Sequence, residues 1–129
     1  MPPIQSRDSV YSGRQMNRFQ FHLSVSPEAY LDYYRGLIRT VLRRTLQFSG
    51  LILTDDLEMG ALRTFGSIGE AAVRATEAGH DLLLICSDLD AAEDAASSLR
   101  RAYQGGRLPL EELAESASKL ARLRRKFSL

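Results

Sequence analysis

Hydrophobic and polar positions alternate along this chain with two different periods. Two short runs are apolar without interruption, Leu51–Leu53, which stops at Thr54, and Leu82–Cys86, and they predict strands Leu51–Thr54 and Leu82–Cys86 buried on both faces. Between and around them apolar residues recur every three to four positions, the signature of amphipathic helices. The first predicted helix opens at Ser26, with Pro27 in its first turn, and runs to about Leu46. Tyr30, Tyr34, Leu37, Ile38, Val41 and Leu42 form its apolar stripe, and Arg35, Arg39 and Arg43 fall on a different, wetter face. A second helix covers about Ile68 to Ala78 and is closed by Gly79, a third covers about Leu89 to Tyr103, and Gly105-Gly106 ends it. The last runs from about Pro109 to Lys126, with Leu110, Leu113, Ala117, Leu120 and Leu123 as its apolar positions.

Helix, strand, helix, strand, helix, helix is the order of an α/β domain with parallel strands. Two strands are too few for a covered parallel sheet, so the pattern reads as part of a larger α/β architecture. Residues 1–25 show no sustained periodicity and are expected to be loop or disordered. Phe19, Phe21 and Leu23 alternate there, as in a short strand.

Composition narrows the options only a little. Seventeen basic residues face sixteen acidic ones, which gives no argument for nucleic acid or an anionic membrane surface. No apolar run reaches the roughly 20 residues of a membrane span. Cys86 stands alone, so no intramolecular disulfide is possible, and a cytoplasmic setting is expected.

Chemistry concentrates where the first apolar run stops. Asp55 and Asp56 follow Thr54 directly, and acidic groups at the carboxyl edge of a parallel sheet lie where ligands bind in such folds. Asp56 reads as a structural partner for loop amides, and Glu58 as a solvent-facing loop carboxylate. His80, ahead of the second run, reads as a surface residue at the opposite edge, and His22 lies in a segment that cannot be placed. Cys86 is expected to be a small core residue. Asp88 and Asp90 suit helix capping better than a divalent cation, and neither a zinc ligand set nor a phosphate loop is present.

The stretches L-R-R-T-L-Q-F-S-G-L-I-L-T-D-D-L-E-M-G-A-L (Leu42 to Leu62), A-A-V-R-A-T-E-A-G-H-D-L-L-L-I-C (Ala71 to Cys86) and Gly105 to Arg124 resemble, in this order, the end of the catalytic barrel of family 3 glycoside hydrolases. The resemblance is strongest to the bacterial β-N-acetylglucosaminidase branch. It implies that residues 26–129 form the last two βα units of a TIM-type (β/α)8 barrel plus a C-terminal helix. It further implies a retaining reaction on terminal β-linked N-acetylglucosamine or a related sugar, with Asp55 as nucleophile, Met59 beside the substrate, and no metal or cofactor. The family's acid/base histidine and its K-H-F-P-G-H-G type segment lie upstream of the nucleophile, and this sequence contains neither. The chain is therefore expected to be inactive alone, to meet a carbohydrate only when completed by the missing barrel units, and to self-associate through exposed strand edges. The alternatives are a non-catalytic α/β binding or assembly module and, more distantly, a small receiver-like domain.

Overall fold

The computed structural model describes residues 5–11, 14–20, 27–58 and 66–127. In chain order the elements are β1 (Gln5–Tyr11), β2 (Arg14–Gln20), α1 (Pro27–Arg35), a π-helical segment (Gly36–Thr45), β3 (Leu53–Asp56), α2 (Ile68–Ala78), β4 (Leu82–Leu84), α3 (Leu89–Gln104) and α4 (Leu110–Lys126). Strands β3 and β4 pair in parallel, with Leu53 opposite Leu82 and Asp56 opposite Leu84, so the α/β reading of the sequence holds.

Helix boundaries follow local chemistry closely. The Ser67 hydroxyl accepts a hydrogen bond from the Glu70 amide and caps α2. Gly79 ends the same helix at φ 111°, a conformation that costs glycine nothing. The Asp88 carboxylate accepts from the amides of Asp90 and Ala91 and caps α3, as its spacing predicts. Helix α4 starts directly after Pro109, whose extended backbone sets the entry.

Three features depart from the sequence pattern. Strand β3 runs over Leu53–Asp56, two residues later than predicted, so Asp55 and Asp56 are its last members and not the start of a loop. Residues 5–11 and 14–20, expected to be loop, pair as two antiparallel strands, in register from Gln5 opposite Gln20 to Tyr11 opposite Arg14. Both segments are mostly polar in sequence, so hydrophobic periodicity gives no signal for them. Of the alternating trio Phe19, Phe21 and Leu23, Phe19 belongs to β2, while the other two and the predicted cap Ser26 lie outside the described residues.

The third departure lies in the first long helix, whose second half is wound as a π-helix. Hydrogen bonding from i to i+5 widens the turn, so the rows expected for a 3.6-residue helix are redrawn. Ile38 is buried, at 2% exposure, whereas Val41 is exposed. Arg39 and Arg43 are part-exposed, as on a wetter face, but both are engaged with distant elements. Arg39 makes a bidentate pair with Glu112 at 2.9 Å and reaches the Glu77 carbonyl at 3.0 Å. Arg43 donates to the carbonyls of Phe48 and Gly50 and pairs with Asp81. These two guanidinium groups tie the π segment to α4, to the turn before β3 and to the residue before β4.

The core is built from small side chains. Leu57, Ala72 and Ala95 form one buried cluster, with Ile68, Leu83, Ile85 and Leu99 against it. Val73, Ala102 and Leu108 form another. Alanines on the facing sides of α2 and α3 allow close approach: Gly69 leaves so little room that an added Cβ would stand 2.9 Å from Ser98 Cβ. Arg107 anchors the connection to α4 by pairing with both Glu70 and Glu77 of α2, and both carboxylates raise its pKa. No helix among the described residues is long and apolar enough to cross a membrane.

Candidate active site

Each residue from Thr54 to Glu58 is held by a specific contact. The Thr54 side chain is buried, and its hydroxyl accepts the Leu84 amide at 2.9 Å, standing in for a ladder bond where the β3–β4 register slips. Asp55 is exposed at the carboxyl end of β3, and its Oδ1 accepts the Asp56 amide at 2.9 Å. The Asp56 carboxylate accepts the Glu58 amide at 3.1 Å, the structural role read for it from sequence. Leu57 turns inward, 4% exposed, into the cluster between α2 and α3, and its amide donates to the Leu84 carbonyl. Burying that side chain contributes roughly 2 kcal/mol and fixes the height of the turn above the core.

Glu58 is not the solvent-facing carboxylate expected from sequence. Its Oε2 accepts the amides of Cys86 and Ser87, both at 2.8 Å, and its Oε1 accepts the Ser87 hydroxyl and the Asp88 amide, both at 2.9 Å. The Ser87 amide, against some loss of solvation and aided by the other three donors, holds this carboxyl below the usual carboxylate range. Glu58 is therefore ionised at neutral pH and is no proton donor. Sequence alone could not find this contact, because the donors lie 28 to 30 residues downstream.

Cys86 lies on the same rim. It is exposed, contrary to the expectation of a core thiol, because β4 ends at Leu84 and leaves it beyond the sheet. Partial desolvation, then the charge and hydrogen bond of Asp56 and the charges of Glu58 and Asp55, push its thiol pKa up, so it stays protonated and weakly nucleophilic. Met59, expected beside the substrate, and His22 lie outside the described residues.

The opposite end of the strands carries a cleft of about 630 Å³ lined by Arg39, Arg43, His80, Asp81, Ser116 and Lys119, among others. His80 is half-buried there and not on the surface: its Nδ1 meets the Ala75 carbonyl at 2.9 Å, and its ring lies 6.4 Å from that of Tyr34. Burial outweighs the Ala75 carbonyl and the Asp81 charge and lowers its pKa, which keeps the ring neutral. Asp81, with a side chain 3% exposed, takes Arg43 and the Ile52 amide on Oδ2 and Ser116 and Lys119 on Oδ1. With its main charges paired to one another, the cleft is a seam between elements. The exposed carboxylate chemistry sits at the other edge, around Asp55.

Comparison with known proteins identifies the family of the chain. The family model described as the glycosyl hydrolase family 3 N terminal domain matches residues 28–123. A β-hexosaminidase of Nitrosomonas eutropha is 43% identical over 63 residues, which is 49% of this chain and 18% of that protein. A protein of Arthroderma benhamiae, described as an uncharacterized secreted glycosyl hydrolase, is 32% identical over 110 residues, 81% of this chain and 31% of its own length. Among solved structures, a family 3 β-N-acetylglucosaminidase from Paenibacillus sp. strain FPU-7 superposes with a TM-score of 0.68 and 35% identity, over 70% of this chain and 17% of that one. A fungal multi-domain family 3 β-N-acetylglucosaminidase gives a TM-score of 0.65 and 37% identity over 69% of this chain and 10% of its own. The chain thus spans less than a third of the length of these relatives. With its family model matched over most of its length, the chain belongs to glycosyl hydrolase family 3, through that family's N-terminal domain.

Proposed function

We propose that β3, α2, β4 and the helices that follow are the last two βα units and closing helix of a family 3 barrel, and that they carry the nucleophile of a retaining glycosidase. The observation that carries this reading is Asp55, an exposed carboxylate at the carboxyl end of a parallel strand, in a chain similar to β-hexosaminidases. Its substrate would be a terminal β-linked N-acetylglucosamine or a related sugar. In the first step an Asp55 oxygen bonds to the anomeric carbon as the glycosidic bond breaks, giving a covalent glycosyl-enzyme. Water then cleaves that ester with a second inversion, so the configuration is retained. An ionised carboxylate serves both as attacking group and as counter-charge to the oxocarbenium-like transition state.

Among the described residues of this rim, none is placed to protonate the leaving oxygen. Glu58 is ionised and saturated, Asp88 is occupied as a helix cap, and His80 lies at the other end of the strands. The acid/base group is therefore assigned to barrel units beyond these residues, which would also cover the edges of the β3–β4 pair.

The test is a chimera in which residues 37–129 of this chain replace the matching part of the Paenibacillus β-N-acetylglucosaminidase. The chimera should release p-nitrophenol from p-nitrophenyl N-acetylglucosaminide, and Asp55→Ala should lower kcat by roughly 10⁴-fold. A chimera that folds and turns over equally well with Asp55→Ala would sink the reading and leave a non-catalytic assembly module.

A further inference from the structure

Glu58 takes no part in the proposed reaction, yet it is among the most heavily hydrogen-bonded side chains of the rim. Its two oxygens accept four donors, two each, which fills the acceptor capacity of an ionised carboxylate. Three of those donors are the consecutive amides of Cys86, Ser87 and Asp88, which lead into α3, where the helix dipole also favours a negative charge. The Glu58 amide in turn donates to Asp56, and the Asp56 amide donates to Asp55. An unbroken relay of hydrogen bonds thus runs from the start of α3 back to the carboxylate at the end of β3.

From this relay we infer that Glu58 is a positioning residue, whose carboxylate, clamped on the Cys86–Asp88 amides, sets the orientation of Asp55. The inference rests on the reading of Asp55 as the nucleophile. The turn after Asp55 is held by the Leu57 side chain in the core, by the Leu57 amide on the Leu84 carbonyl, and by Glu58, which ties it sideways to the next βα connection. Of these, only the Glu58 clamp lies beyond β4 and reaches the start of α3. Asp55 is only three residues from the clamp, so freedom at Glu58 becomes freedom at the attacking oxygen. A misplacement of about 1 Å there costs about a hundredfold in rate.

The experiment is NMR on the 129-residue chain, wild type against Glu58→Gln and Glu58→Ala, following backbone amides and the Asp55 carboxyl carbon. It needs no turnover, so its failure is distinct from a failure of the chimera assay. In Glu58→Ala the amide signals of Cys86, Ser87 and Asp88 should move upfield, amide exchange through Asp55–Glu58 should quicken about tenfold or more, and the Asp55 carboxyl resonance should shift or broaden. Glu58→Gln, which keeps one acceptor oxygen, should fall between the two. If neither variant folds, the wild-type acid titration decides. The three amides and the backbone amides of Asp55–Glu58 should then change together at one midpoint below the ordinary glutamate range. An Asp55 carboxyl resonance that ignores Glu58 in the variants, or Asp55–Glu58 amides that ignore it in that titration, overturns the inference even if the Cys86, Ser87 and Asp88 amides respond.

Discussion

Asp81 and Glu58 are both carboxylates with four donors, yet different physics governs them. Glu58 lies on a wet rim, where its bonds orient a turn. Asp81 is almost fully buried, and charges out of water are tolerable only when every lone pair is met. Burial pushes the Asp81 pKa up, but the hydrogen bonds from Ser116, the Ile52 amide and Lys119 together outweigh it and hold the group below its ordinary value. Asp81→Asn keeps the shape but loses the charge and turns an amide toward cationic donors. It should cost about 3–5 kcal/mol in urea denaturation near neutral pH. Because the folded-state pKa is depressed, this stability is present above about pH 4 and fades as pH falls through the lower folded value. An unaltered urea midpoint in Asp81→Asn would refute that account. At this scale the sequence displays the carboxylates of the rim but not their partners. The donors to Glu58 and the Arg43–Asp81 pair join residues about 30 to 40 apart, and local pattern carries no record of them.

Element boundaries were the most legible part of the fold where a cap names them. Gly79, Asp88 and the Gly105-Gly106 pair place the end of α2 and both ends of α3 almost to the residue. Two elements resisted for identifiable reasons. The aspartates of β3 were read as ending the strand, but at an exposed sheet end a carboxylate that accepts a neighbouring amide extends as readily as an apolar residue. The π segment has a helix-like hydrophobic pattern, and nothing in that pattern separates i+4 from i+5 bonding. Gly79 connects the two halves of the problem. Beyond its left-handed backbone, an added Cβ would stand 2.8 Å from the buried Ile38 Cγ2 of the π segment. Gly79→Ala should therefore destabilise the chain by about 1–3 kcal/mol, a sum of backbone strain and crowding. A thermal melt that moves by less than a degree would show that the π segment yields freely at this point.

Across the molecule, many large apolar side chains of the described residues remain exposed. Helix α4 has no buried residue, Leu110 and Leu113 are 62% and 43% exposed, and Leu53 on β3 is half exposed. These were predicted as a helix stripe and a buried strand, and the pattern was right about amphipathicity while the surface that would cover it is not among these residues. The β3–β4 pair also offers an outer edge on each strand. We propose that in the 129-residue chain these faces meet copies of themselves, and that in a complete barrel they meet neighbouring units. Sedimentation velocity at tens of micromolar should find species heavier than the 14.4 kDa monomer. A single monomeric boundary with a sharp melt would count against this. The β1–β2 pair was hidden from the sequence pattern because its strands are mostly polar.

The split loyalties of Asp81 have a consequence for synthesis. Its Oδ2 is served by Arg43 and Ile52, made earlier in the chain, and its Oδ1 by Ser116 and Lys119, made later. As the chain leaves a ribosome from the N-terminus, one oxygen finds its donors at once and the other waits through all of α3. Until α4 emerges, that half-satisfied carboxylate resists burial, and closure of this end of the strands waits for that helix.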